Sequence, residues 1–287
     1  MKIFIVVDME GATGVVHPDQ LMPEGRGYSA AQAALTADVN AVIEGCIQAR
    51  SDIEFSFRVG DGHGVMRNVL LDKLHPSAEL VVGTATPENK PLCQCEGIDD
   101  SFDLAVLVGF HTKARTPGGL LAHTFVGSTI ADLRLYGESC GEAQLDAAIL
   151  GDFGVPVGLI VGNSDLEAEI REWNRTVPFV ATKKTLGPTA AICYPPARTR
   201  EEIVNACSLM LDMYDRSEFE VAHPVAMPYI ELETYRAETA ARIAQVGDFQ
   251  LLNDRTVVVM DPSVASAFRR LWTSLAIALY EAPSWLR

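Results

Sequence analysis

Asp8 and Glu10 close the first apolar run of the chain, Ile3-Phe4-Ile5-Val6-Val7-Asp8-Met9-Glu10-Gly11. The run is short, β-branched and ended by glycine, the pattern of a buried strand. Side chains alternate faces along a strand, so both carboxylates are expected on one side. Two adjacent carboxylates at the edge of an apolar core repel each other and need a shared proton or a cation. Asp61 and His63 follow a second run, in Gly60-Asp61-Gly62-His63-Gly64. His111 follows the apolar stretch Phe102 to Phe110 directly, and Gly137-Glu138-Ser139-Cys140-Gly141-Glu142 offers a further acid. In an open α/β sheet such strand ends gather at one rim. Imidazole and carboxylate are good zinc ligands, and no thiolate is required. Three carboxylates with two imidazoles exceed what one catalytic zinc needs. They suit two ions roughly 3.5–4 Å apart with one carboxylate bridging. A proton shared by Asp8 and Glu10 would leave both histidines unexplained.

Each residue also has a plainer reading. His63 could sit on a nucleotide-binding turn, but Gly60-x-Gly62-x-Gly64 lacks the spacing of the dinucleotide fingerprint. His111 could cap a strand, and Glu138 and Glu142 could be acids at a helix start, favoured by its dipole. His17, His75 and His223 stand beside prolines and read as surface residues. The convergence of the others at strand ends favours a metal site.

The elements that must position these groups follow from periodicity. After the first strand comes a long loop, Gly11 to Gly27. A helix is predicted from Ser29 to Arg50, with Ser29 as N-cap. Strands are expected over Ile53–Val59, Leu80–Val82, Phe102–Phe110, Ile130–Tyr136 (antiparallel) and Val155–Val161, and helices over Met66–Leu74, Gly141–Leu150 and Leu166–Trp173. Beyond Pro195-Pro196 the pattern predicts a helix from Arg198 to Tyr214. Strand-like runs follow at Val221–Glu233, Phe249–Leu252 and Thr256–Met260, then a closing helix from Ser263 to Tyr280. The predicted fold class is α/β: a central mixed, mostly parallel sheet flanked by helices, with a smaller C-terminal α+β domain. The division places a metal-binding catalytic domain at residues 1–195 and an α+β domain, contributing to oligomer contacts, at 196–287.

The 287 residues are 48% hydrophobic, enough for a sizeable core. The formal net charge of −15 argues against nucleic acid and anionic membranes as partners. No apolar stretch reaches membrane-span length and no signal peptide is read, so a cytoplasmic protein is expected. The six cysteines are scattered and read as reduced thiols.

Six segments taken in order carry a resemblance: Val7-Asp8-Met9-Glu10-Gly11, Asp61-Gly62-His63-Gly64-x-Met66-Arg67-Asn68, Lys73-Leu74-His75-Pro76, Gly109-Phe110-His111, Thr116-Pro117-Gly118 through His123, and Gly141-Glu142. The chain resembles the zinc-dependent D-aminopeptidases of the bacterial dipeptide-transport operon, the DppA-type family, over about its first 165 residues and more loosely beyond. The resemblance implies two zinc ions per chain, with ligands Asp8, Glu10, His63, His111 and Glu142 and with Asp8 as the bridge. It selects Glu142 over Glu138, because Glu142 matches the family's Gly-Glu step. It also implies an active-site role for His123 and a homodecamer of two stacked pentamers. The implied reaction releases N-terminal D-residues such as D-Ala from short peptides or amides, through a dinuclear zinc-activated water.

On that mechanism His123 passes a proton to the leaving amine, steadies the tetrahedral intermediate or acts as a nucleophile. Asp61 or Asp146 would supply the counter-charge for the substrate's α-amine, and Asp61 could instead orient a ligating histidine. The chain departs from the family at Gly60-Asp61-Gly62-His63, where the relative has Asn-Asp before a Ser-His step. It departs again at Asp146, where the relative has Asn. The extra charge bears on substrate preference. Rival readings are another metal-dependent amidohydrolase or phosphoesterase, or a non-catalytic peptide-binding protein.

Overall fold

The computed structural model describes residues 1–84, 86–222 and 227–280. Strand β1 (Lys2–Val7) leads through a long loop into helix α1 (Tyr28–Ala49). Strands β2 (Ser56–Asp61), β3 (Ala78–Val81), β4 (Leu104–Phe110), β5 (Ile130–Leu135) and β6 (Glu138–Ser139) follow, then helix α2 (Glu142–Asp152). Next come β7 (Val157–Asn163), α3 (Leu166–Trp173), β8 (Phe179–Gly187), β9 (Ala190–Cys193) and α4 (Pro196–Asp215). The chain closes with β10 (Tyr229–Thr234), α5 (Ala237–Gly247), β11 (Gln250–Asn253), β12 (Thr256–Met260) and α6 (Val264–Leu279).

Seven strands form one sheet in the order β3-β2-β1-β4-β7-β8-β9, parallel except for β9. The strand period divides its core. Ile3, Ile5 and Val7 of β1, with Leu104, Val106 and Val108 of β4, pack in one cluster with Leu35 and Val42 of α1 and Met210 of α4. Phe4, Val6, Ala105 and Leu107 face the other way, into a cluster shared with Leu145 of α2, Leu232 of β10 and Phe268 of α6. That second cluster underlies a five-stranded antiparallel sheet, β11-β12-β10-β5-β6.

The expected boundary at residue 195 crosses this arrangement. β5 and β6 lie N-terminal to it, yet β5 pairs with β10. α4 lies C-terminal to it, yet packs on α1 in the first sheet's layer.

Local differences have local causes. Helix α1 begins at Tyr28 with Gly27 as its N-cap and no side-chain cap, which puts Ser29 inside the first turn. Met66–Leu74 is not a helix: the Asp61 carboxylate takes the backbone N–H groups of Asn68 and Val69 and folds the segment into turns. The expected strand from Val221 narrows to β10, and part of that run, residues 223–226 with His223, lies outside the described residues. α5, β6, β8 and β9 lie outside the periodic runs of the sequence. Among the described residues no helix is long and apolar enough to cross a membrane.

Candidate metal centre

β1 ends at Val7, so Asp8 and Glu10 lie just past the strand, and their convergence does not come from strand alternation. The chain after β1 stays bonded to β4 through Asp8 N–H to Val108 O (2.9 Å) and Gly11 N–H to Gly109 O (2.7 Å). The approach is close: a Cβ on Gly109, whose φ is +85°, would lie 2.0 Å from the Asp8 carbonyl oxygen. Glycine there lets the segment carrying His111 press against the turn carrying Asp8 and Glu10. His63 arrives from the end of β2, and Glu142 from the first turn of α2.

These groups meet at carboxylate–imidazole contacts. His63 Nδ1 lies 3.1 Å from Asp8 Oδ1 and 3.0 Å from Glu10 Oε2. His111 Nε2 lies 3.3 Å from Asp8 Oδ2 and 3.5 Å from Glu142 Oε1. His123 Nε2 is 3.8 Å from Glu10 Oε1, and the His111 and His123 rings stack at 4.3 Å. All but His123 are buried. Glu138, by contrast, is exposed on β6, so of the two acids left open by spacing Glu142 reaches the cluster.

The tautomers follow from the second nitrogen of each ring. His63 Nε2 faces Leu21 O at 2.9 Å, His111 Nδ1 faces Thr112 O at 2.9 Å and His123 Nδ1 faces Leu121 O at 2.9 Å. A carbonyl only accepts, so each of these nitrogens carries a proton. In the neutral imidazole the other nitrogen then turns a lone pair towards carboxylates, which is repulsive without a cation between them. Asp8 Oδ2, Glu10 Oε2 and His111 Nε2 are buried with no hydrogen-bond partner among the described residues. Burial opposes charge on Asp8, but the His111 and His63 imidazoles outweigh it and hold the carboxyl well below the usual range. Burial likewise opposes charge on His63, and Glu10 and Asp8 outweigh it and hold the ring well above the usual imidazole value. The same field favours a divalent cation.

Two sets of three candidate ligand atoms share Asp8: Asp8, Glu10 and His63 in one, Asp8, His111 and Glu142 in the other. A third set joins Glu10, His111 and His123. Within each set the atoms lie within 4.8 Å of one another. Nitrogen and oxygen donors without thiolate suit zinc, and the shared carboxylate suits a pair of ions.

The surroundings include groups that sequence reasoning did not single out. Glu142 Oε1 accepts from Phe125 N–H (2.7 Å), and Glu142 Oε2 accepts from Gln94 Nε2 (3.2 Å). Gln94 Nε2 also reaches Asp146 Oδ2 at 2.7 Å. Lys183, fully buried in β8, donates to Glu10 O (3.0 Å) and Ala12 O (2.7 Å) and so fixes the ligand turn from below. Gln94 and Lys183 act across 48 and 173 residues, and no local pattern marks them.

A cavity of about 1090 Å³ opens over the cluster, lined by Asp8, Glu10, His63, His123 and Glu142 together with Arg115, Phe125 and Trp272 among others. Asp61 and Asp146 are not on its wall. Asp61 is fully buried, and its carboxylate is held by Asn68 Nδ2 (2.7 Å) and Val69 N–H (2.8 Å). Asn68 Nδ2 in turn donates to His63 O at 2.7 Å, so Asp61 braces the His63 turn. Burial pushes the Asp146 carboxyl well above its usual range, beneath Gln94 and away from the cavity. His17 is an exposed loop residue paired with Asp19, and His75 is half-buried in a turn.

A family model described as D-aminopeptidase matches residues 1–273. A D-aminopeptidase of Bacillus subtilis (strain 168) is 29% identical over 223 residues, covering 75% of this chain and 76% of the relative. The solved structure of the Zn-dependent D-aminopeptidase DppA from Bacillus subtilis, described as a self-compartmentalizing protease, is similar with a TM-score of 0.90. It is 24% identical, and the match covers 98% of this chain and 99% of that one, which shows a shared fold.

Proposed function

This chain belongs to the D-aminopeptidase family, and we propose that it uses two zinc ions to release N-terminal D-amino acids from short peptides. The observation that carries the reading is the pair of ligand sets meeting at Asp8, with its Oδ2 buried and unbonded. Glu10 and His63 would hold one ion, His111 and Glu142 the other, and Asp8 both. When bound, the ions supply Lewis acidity at the scissile carbonyl and lower the pKa of water towards neutrality. The zinc dependence stated for the Bacillus subtilis structure agrees with this donor set.

The remaining steps belong to the chain's own side chains. His123 sits on the cavity wall with Nδ1–H held by Leu121 O, which directs Nε2 towards Glu10 and the reacting region. From there Nε2 takes up the proton that the attacking water loses and passes it to the leaving amine. Phe125, Val126 and Trp272 give the cavity an apolar side that excludes water from the peptide. The preference for the D configuration follows the family description, and we extend it to D-Ala at the N-terminus. We extend self-compartmentalization, stated for the DppA structure, to a homodecamer of this chain. Leu186 and Ile192, exposed on the β8–β9 hairpin, are apolar surface that such an assembly would cover.

Metal analysis paired with hydrolysis of D-Ala-D-Ala, with and without chelator, tests the reading. Two zinc ions per chain and chelator-sensitive cleavage are expected, with L-Ala-L-Ala and phosphate esters left intact. Zinc-free protein that still cleaves, or zinc-loaded protein that cleaves only a phosphate ester, would overturn it.

A further inference from the structure

The cavity's charged wall is almost wholly acidic, and one strong cation stands against it. Asp8, Glu10 and Glu142 are its acids, and Arg115 is the one lysine or arginine among the described residues that line it. Arg115 lies on the loop between β4 and β5, the loop that also carries His111 and His123. Its side chain is 52% exposed, so the guanidinium is accessible from the cavity. Its backbone is left-handed, with φ +65°, a conformation few residues other than glycine adopt and one that clusters at binding sites.

Arg115 is incompletely partnered. Among the described residues its one hydrogen bond runs from Nη2 to Glu233 Oε1 at 3.2 Å. That carboxylate is shared: Arg134 Nη2 reaches Glu233 Oε2 at 2.7 Å, and Arg255 Nη2 lies 3.7 Å from Oε1. Arg134 has Asp132 and Glu231 as well, whereas among the described residues Arg115 has Glu233 alone. A guanidinium carries five N–H donors in a planar fork, so most of the fork has no partner among the described residues.

We propose that Arg115 receives the C-terminal carboxylate of the substrate, and that the enzyme thereby selects short peptides whose C-terminus is free. The proposal rests on the D-aminopeptidase reading above and adds the substrate's far end to it. Only in a short peptide does the terminal carboxylate lie within the same cavity as the scissile bond. A fork–carboxylate pair is directional and charge-assisted, so it discriminates an acid from an amide of the same size. Glu233 keeps the guanidinium oriented, and among the described residues Arg115 is the cavity's sole anion receptor of the strong bases.

The experiment compares D-Ala-D-Ala with its C-terminal amide on the zinc-loaded, full-length enzyme. The wild type should favour the free acid by at least tenfold in kcat/KM, mainly through KM. Arg115→Met should bring the ratio close to one, and Arg115→Lys should restore part of it. Because the ratio is taken within each preparation, partial loss of folded or metal-loaded protein does not move it. A wild-type ratio near one, or an unchanged ratio in Arg115→Met, overturns the assignment while the peptidase reading stands. Cleavage of neither compound by the wild type overturns the peptidase reading, and the Arg115 assignment falls with it.

Discussion

The imidazoles of His111 and His123 stack face to face, with ring centroids 4.3 Å apart and planes 8° from parallel. Each ring is fixed by its own Nδ1 on a backbone carbonyl, Thr112 O for His111 and Leu121 O for His123. His111 is buried among carboxylates, while the His123 side chain remains 27% exposed to the cavity. Two like rings held in register by different parts of one loop thus stand in different surroundings. The inner one suits metal binding, and the outer one suits proton transfer.

His123→Ala is therefore expected to keep zinc and lose rate. General acid–base groups contribute about 10²- to 10⁴-fold, so kcat should fall within that range. Zinc content by elemental analysis should stay at the wild-type value. Unchanged turnover would remove His123 from the mechanism, and loss of zinc would make it a ligand.

His63→Ala and Glu142→Ala each take one member from a different ligand set. Each should lower zinc content below two per chain and abolish turnover, with the far-ultraviolet circular dichroism retained. Zinc still at two per chain in both variants would sink the ligand assignment.

The site was more legible than its supports. Strand ends in an α/β sheet are recognisable from apolar runs, and Asp8, Glu10, His63 and His111 all stand just past one. Strand alternation nonetheless does not bring Asp8 and Glu10 together, since β1 stops at Val7 and a turn, braced by Lys183, does so. β8 was hidden because its central Lys183 and Lys184 break the apolar pattern, although Lys183 is buried and bonded to backbone carbonyls. The pairing of β5 with β10 spans about a hundred residues and leaves no local signal. Gln94 and Arg115 belong to the same class: their partners are set by the fold and not by neighbours in sequence.

Gln94 carries the next prediction. Its Nε2 is shared between Glu142 and Asp146, so it orients a candidate ligand and satisfies a buried acid with one amide. Gln94→Met keeps the volume and removes the donor. Zinc affinity, read by competition with a chelator, should fall about 10- to 100-fold, the usual effect of losing a group that orients a ligand. The urea midpoint should fall by an amount equivalent to about 1–3 kcal/mol, because a buried acceptor loses its donor. Unchanged zinc affinity would show that Phe125 N–H alone fixes Glu142.

Asp38 governs a pH effect away from the metal ligands. Its carboxylate accepts from Thr13 N–H and Thr13 Oγ1, both at 2.8 Å, beneath the loop that follows Glu10. Burial pushes its pKa up from 3.8 to about 6, against the pull of Thr13 and of Lys183. Between these values the unfolded chain has released the proton and the native state keeps it. Stability is therefore fullest below about pH 4 and declines as pH rises through about 6. At about 1.36 kcal/mol per pH unit, the interval amounts to about 3 kcal/mol. Lys183, the charged group facing Asp38, is itself pushed down by burial to about 7 and so titrates above this window. The zinc ligands titrate as well, so the measurement is a difference: urea unfolding of zinc-free wild type and Asp38→Asn, from pH 4 to pH 7. The wild type should lose stability relative to the variant across the window. Parallel profiles would mean that Asp38 titrates normally and that the Thr13 hydrogen bonds, not burial, set its charge.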